Sequence, residues 1–353
     1  MYQCKGGAMV SNIRFPDVKP LSIDRYAKIV STGIGLPKRI VTNQDIIDQY
    51  NIIASDRAVK FSLGIEERRW ISEDESLEGL MADAVTQCLK RAKIEIDKVD
   101  KIIYSKLIGT YNIPSTSIGL LKKLKVEKGI PAFDITCACS GSVQAIDMAL
   151  KSIAAGDDYV IVIGGGVTSD GIQRWKEPNP KTLFLFGDAI TAVLLGYSNT
   201  KHFISSYMFT NHLLYENAFI PLGTTLLKED RELDFDTFNM KVIDGNIVLE
   251  SSVYNAKVIA DKLLSESNLT LEDIDYFITS DQSTKIWEAQ LDALNIPKEK
   301  SLSLFYKYGN TVASMSPLIF DELINTGKIK KGNRVMMMAH GAGATSGGLI
   351  FKY

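Results

Sequence analysis

The chain has 353 residues, 45% of them hydrophobic, with 40 Lys and Arg against 42 Asp and Glu. That length and apolar content suffice to bury a large core and to build two domains or one duplicated domain. The near balance of charge, with no basic run interleaved with aromatics, marks neither a nucleic-acid surface nor an anionic-membrane surface. The opening MYQCKGGAMV lacks the apolar stretch of a signal peptide, and no apolar run approaches the roughly 20 residues that span a bilayer, so a cytoplasmic location is expected. Four cysteines do not make a disulfide framework at this length, and Cys137 and Cys139 have no second pair or His at zinc spacing. Free thiols are the simplest reading.

In chain order, residues 1–25 read as an N-terminal extension, 26–200 as a first α/β half, 201–245 as an insertion and 246–353 as a second α/β half. The segment AKIEIDKVDKIIYS at 92–105 ends a helical stretch and runs into a buried strand. At 154–166, AAGDDYVIVIGGG is a polar turn, a continuous apolar strand and a glycine loop. Residues 168–182 and about 200–245 carry Pro, Trp, Tyr and Phe without clear periodicity and are read as loops lining a pocket. Then the chain echoes itself at an offset of roughly 175 residues: SNLTLEDIDYFITS at 267–280 matches 92–105, with Asp100/Asp275 and Ser105/Ser280 in register, and KKGNRVMMMAHGAG at 330–343 matches 154–166. Two similar halves, each a sheet covered by helices, predict a layered architecture with pseudo-twofold symmetry.

Within PAFDITCACSGSVQAIDMAL an apolar strand passes through small residues into a helical period, which places Cys139 at a strand-to-helix turn. A helix N-terminus offers unpaired N–H groups and partial positive charge, and so suits a reactive thiol and an oxyanion. Two other readings fit the same segment: Cys137 and Cys139 as small core residues, or as a redox-sensing pair. The glycines at 164–166 lack the spacing of a dinucleotide loop. Asp188, after Gly187, reads as a structural carboxylate ordering a turn, and His202 and His212 as surface or pocket-wall residues.

FDITCACSG resembles the nucleophile segment of beta-ketoacyl-acyl-carrier-protein synthase III, with Cys139 at its catalytic cysteine. IVSTGIGLPKRIVTNQDI with LGIEERRW, FLFGDAITAVLLG at 184–196, YGNTVASMSPL at 308–318 and the closing AHGAGATSGGLIFKY resemble further motifs of that family, in the same order. The resemblance implies the thiolase fold, two duplicated α/β halves in α-β-α-β-α layers. It implies an acyltransferase whose Cys takes an acyl group from acyl-coenzyme A or an acyl-carrier protein, with no tightly bound cofactor. It also implies a homodimer, with residues 108–120 near the partner.

The family uses a Cys, a His and an Asn, the last two stabilising an enolate while a malonyl thioester decarboxylates. Asn310 matches the Asn. At the His position stands Ser280, or Asp281 if the register shifts by one, and neither replaces a neutral imidazole. His340, in the glycine loop that by resemblance lends the Ala342 N–H to an oxyanion hole shared with Cys139, is the candidate replacement, able to deprotonate Cys139 or an incoming nucleophile; a space-filling role for it stays open. The adenine-clamping Trp and Arg of the family are replaced by Ala58 and Ser62, which favours carrier-protein donors, and Lys285 is a candidate for a phosphopantetheine phosphate or an acidic carrier helix. The expected function is a condensing enzyme or acyltransferase of fatty-acid or polyketide-like metabolism, through an acyl-Cys139 intermediate. The alternative is an impaired homologue that supports an active partner.

Overall fold

A computed structural model describes residues 24–172, 180–220, 240–280 and 282–353. The first half supplies β1 (Tyr26–Gly35), β2 (Arg39–Thr42), α1 (Asn43–Tyr50), α2 (Asp56–Leu63), β3 (Glu67–Trp70), α3 (Leu77–Ala92), β4 (Lys101–Lys106), α4 (Thr116–Lys123), β5 (Ala132–Ile135), α5 (Gly141–Ala154), β6 (Tyr159–Gly166) and β7 (Ala189–Ser198). The second supplies β8 (Phe203–Thr210), α6 (Gly245–Ser267), β9 (Tyr276–Ile278), α7 (Thr284–Leu294), α8 (Met315–Asn325), β10 (Arg334–His340) and β11 (Thr345–Lys352). One sheet has the order β1-β7-β6-β4-β5 and the other β8-β11-β10-β9, with a parallel bridge from Phe277 to Ser301 where β5 stands in the first. The two sheets therefore repeat one topology, with β4 and β6 answered by β9 and β10, the segments whose sequences echo each other.

Side-chain alternation explains the layers. Val160 and Val162 of β6 point into one core and Ile161 and Ile163 into another; on β10, Val335, Met337 and Ala339 oppose Met336 and Met338 in the same way. Strands buried on both faces read as unbroken apolar runs. The shared core takes Val143, Ile146 and Ala149 from α5 and Leu318, Ile319 and Leu323 from α8, so these two helices form the middle layer between the sheets. Helix α3 covers the outer face of the first sheet with a stripe Leu77, Leu80, Met81, Ala84, Val85 and Cys88, at the spacing of one helical face. Helix α6 covers the second with Ser252, Asn255, Ala256, Ile259, Ala260 and Leu263. Five layers, α-β-α-β-α, result.

One boundary differs from the sequence reading. Phe203–Thr210, placed there in the irregular insertion, is strand β8, paired antiparallel with β11. Its burial is partial along most of its length, so it has neither strict alternation nor a continuous apolar run to give it away. Residues 173–179 and 221–239 of the two expected pocket loops lie outside the described residues. Among the described residues no helix is long and apolar enough to cross a membrane.

Candidate active site

Cys139 sits in a short 3-10 turn, Ala138–Ser140, that leads directly into α5. Ala138 before it has φ 46°. The same device recurs in the second half: Val312, three residues before α8 as Ala138 is three before α5, has φ 59°. The left-handed region costs a non-glycine residue about 1–2 kcal/mol, so both halves hold a strained turn at the start of a central helix. The two turns pack together and bring Cys139 beside the segment of Asn310.

Asn310 is fixed through its backbone and its side chain. Its N–H donates to the Leu185 carbonyl at 2.8 Å and its own carbonyl accepts from Gly187 N at 3.2 Å, so the FLFGD segment carries it. Its Oδ1 accepts from Val312 N at 2.9 Å, which leaves the amide NH2 for the cavity. Asp188 braces the same segment, its carboxylate accepting from Ile71 N at 2.9 Å, Thr168 N at 2.7 Å and Ser169 N at 3.0 Å. That is the structural role expected of it.

The glycine loop after β10 closes over Cys139. A Cβ added to Gly341 would lie 2.8 Å from the Cys137 carbonyl oxygen and 3.1 Å from the Cys139 nitrogen, so only glycine allows the loop this close. Ala342, Gly343 and Ala344 follow in the wall of a cavity of about 230 Å³ that also takes in Cys139, Asn310 and His340. Its apolar side is formed by Leu185, Phe186, Leu214, Ala218, Met240 and Val248. Such a cavity, largely apolar with polar groups converging at one end, suits an acyl chain with its carbonyl at the sulfur.

The sequence reading named a candidate, Ser280, that the structure does not bring to this wall. The Ser280 hydroxyl accepts from the backbone N–H of His340 at 2.9 Å, pinning β10 rather than facing the cavity. Asp281 lies outside the described residues. Gln282, which the sequence reading passed over, is in the wall, and its Nε2 donates to the His340 carbonyl at 2.5 Å. The register of an aperiodic segment after a three-residue strand is not set by any pattern, and one or two residues decide which side chain faces the cavity. Lys285 is exposed on the first turn of α7, outside the cavity wall, and Ala58 and Ser62 are exposed on α2, where they offer no stacking plane. His202 and His212 also stand outside the wall.

Burial pushes the Cys139 thiol up to about 11, while the amides of Gln282 and Asn310 beside it pull the other way. Burial likewise holds His340 down at about 4, a neutral ring at physiological pH. With the thiol up and the imidazole down, the proton rests on sulfur. A standing thiolate–imidazolium pair, the arrangement that deprotonation of Cys139 by His340 requires, is disfavoured. Cys88, Cys137 and Cys139 are all free thiols.

Residues 133–212 match the family described as 3-oxoacyl-[acyl-carrier-protein] synthase III, residues 264–353 its C-terminal part, and residues 64–169 the thiolase N-terminal domain. A beta-ketoacyl-[acyl-carrier-protein] synthase III of Aquifex aeolicus is 31% identical over 328 residues, 92% of this chain and 99% of that one. The protein of the same description from Porphyra purpurea is 31% identical over 338 residues, covering 92% and 98%. Among solved structures, the Aquifex aeolicus 3-oxoacyl-[acyl-carrier-protein] synthase III aligns with TM-score 0.82 at 29% identity over 93% of this chain and all of that one. The priming beta-ketosynthase of the R1128 polyketide pathway aligns with TM-score 0.83 at 20% identity, covering 96% and 98%, a likeness of fold.

Proposed function

The chain belongs to the beta-ketoacyl-[acyl-carrier-protein] synthase III family, and on that premise we propose that Cys139 takes the acyl group of a thioester substrate as a covalent intermediate. It is an acyl-transferring condensing enzyme with the thiolase fold. The observation that carries the intermediate is the setting of Cys139, in the turn that leads into a buried helix, in a cavity wall, between the amides of Gln282 and Asn310. The Cys139 sulfur attacks the thioester carbonyl carbon, a new carbon–sulfur bond forms, and the bond to the donor's pantetheine sulfur breaks. The departing thiolate takes up the proton that Cys139 gives up, so no net charge is left in the pocket. Close packing of the Gly341–Ala344 loop on the Cys139 turn supports an oxyanion hole made of the Cys139 and Ala342 N–H groups.

His340 enters as a neutral imidazole, not as the base that makes a resting thiolate. Gln282 and Asn310 supply amide N–H donors, which suits a developing enolate better than the carboxylate of an aspartate would. The donor is an acyl-coenzyme A or an acyl-carrier protein; without a stacking clamp at Ala58 and Ser62 the carrier protein is favoured, with Lys285 at the surface to meet its acidic helix or a phosphopantetheine phosphate. A homodimer through residues 108–120 is supported by the exposure of Tyr111, Ile113 and Ile118.

Release of free thiol from an acyl donor supplied without any acceptor tests the reading. A burst of about one thiol per chain, absent in Cys139→Ala, is expected. No burst with any donor, while Cys139 stays open to alkylation, would point instead to a subunit supporting an active partner.

A further inference from the structure

His340 and Ser346 face each other directly across the β10–β11 ladder, so their side chains leave the sheet on the same face. Alternation along β10 sends Met336 and Met338 toward α6, and His340, two residues on, falls on that side. There Asn255, in the buried stripe of α6, donates from Nδ2 to Ser346 Oγ at 3.1 Å. Ser346 Oγ in turn lies 3.3 Å from His340 Nδ1. All three residues are buried, at 3%, 0% and 3% exposure, and all line the cavity of Cys139.

The direction of this chain of bonds follows from what each group can give. An amide nitrogen only donates, so the Ser346 oxygen accepts from Asn255. Among the described residues the hydroxyl meets only these two groups, so its single proton has His340 Nδ1 as its acceptor. A neutral imidazole that accepts at Nδ1 carries its proton on Nε2, and Nε2 is the ring atom without a partner among the described residues. A buried donor left unpaired destabilises the free site, and a ligand acceptor removes that cost.

We propose that Asn255 and Ser346 are positioning residues that hold His340 in the Nε2–H tautomer, so that the cavity presents a neutral N–H donor to a thioester carbonyl oxygen. The donor role rests on the acyl-Cys139 reading; the tautomer does not. Polarity is the sensitive point: Asn255→Asp places an acceptor where a donor stood, so the Ser346 proton turns to the carboxylate and Nδ1 must become the donor.

Two-bond proton–nitrogen correlation spectra of the ring nitrogens, with the His340 signals identified by their loss in His340→Gln, test this without substrate. The expected result is an Nε2–H ring in the wild type, an Nδ1–H ring in Asn255→Asp, and a mixed population in Ser346→Ala that Ser346→Thr restores to Nε2–H. An Nδ1–H ring in the wild type overturns the proposal outright, as does an unchanged tautomer in a folded Asn255→Asp. With substrate, Ser346→Ala and Asn255→Asp should still acylate at Cys139 while overall turnover falls on the order of 10- to 100-fold. Loss of acylation in the wild type would sink the acyl-Cys139 reading and leave the tautomer result standing.

Discussion

At Cys139 two effects oppose each other. The N-terminus of α5 favours a thiolate, and burial, with no cation beside the sulfur among the described residues to compensate, disfavours it and prevails, leaving the thiol at about 11. Since only the thiolate reacts with iodoacetamide, alkylation of Cys139 should rise about tenfold per pH unit from pH 7 to 10; a plateau below pH 8 would mean that the helix terminus outweighs burial. His340 gives a second, independent prediction. Its folded value of about 4 lies below the ordinary 6.5 of the unfolded chain. The unfolded state therefore binds a proton between those values and the folded state does not, so stability is present above about 6.5 and is lost as pH falls toward 4. The loss amounts to about 3 kcal/mol if the whole shift is felt. Denaturant titrations should show that acid-side slope in the wild type and a flatter one in His340→Gln.

At the scale of elements, the two strained turns before α5 and α8 set the distance between Cys139 and the Asn310 amide, and the 341–344 loop sets the roof. Gly341→Ala forces a Cβ to within 2.8 Å of the Cys137 carbonyl oxygen and close to the Cys139 and Ser140 nitrogens, all backbone atoms that cannot swing aside. We expect a folded protein with acylation slowed on the order of 100-fold, the usual consequence of an ångström's displacement of reacting groups; near-wild-type acylation would show that the loop has room to move. The elements most legible in the sequence were β4, β6, β9 and β10, because burial on both faces writes an unbroken apolar run, and Cys139, because a strand, small residues and a helical period meet there. β8 was hidden by its partial exposure. Gln282 was hidden because nothing periodic fixes the register after β9. Asn255 carried a signal that went unread, an amide in the buried stripe of α6 where Ile259 and Leu263 continue the apolar face.

The described residues repeat one topology about a central pair of helices, and the repeat brings Cys139, before α5, and Asn310, before α8, into the wall of one cavity. Duplication explains why one half supplies Cys139 and the other Asn310, His340 and the roof. In the proposed homodimer a second copy packs on the exposed face that carries Tyr111, Ile113 and Ile118. Ile113 is 87% exposed, so Ile113→Asp should leave the fold intact and shift sedimentation from dimer to monomer. A wild-type monomer at micromolar concentration would contradict the assembly.

Intact-protein mass spectrometry of wild type, Cys139→Ala and His340→Ala after incubation with short and long acyl thioesters reads the acyl-Cys139 intermediate itself. A single acyl increment on the wild type, none on Cys139→Ala, and an adduct on His340→Ala that forms but turns over slowly is the predicted pattern. An unmodified wild type with every donor, while iodoacetamide still labels Cys139, would contradict the covalent mechanism.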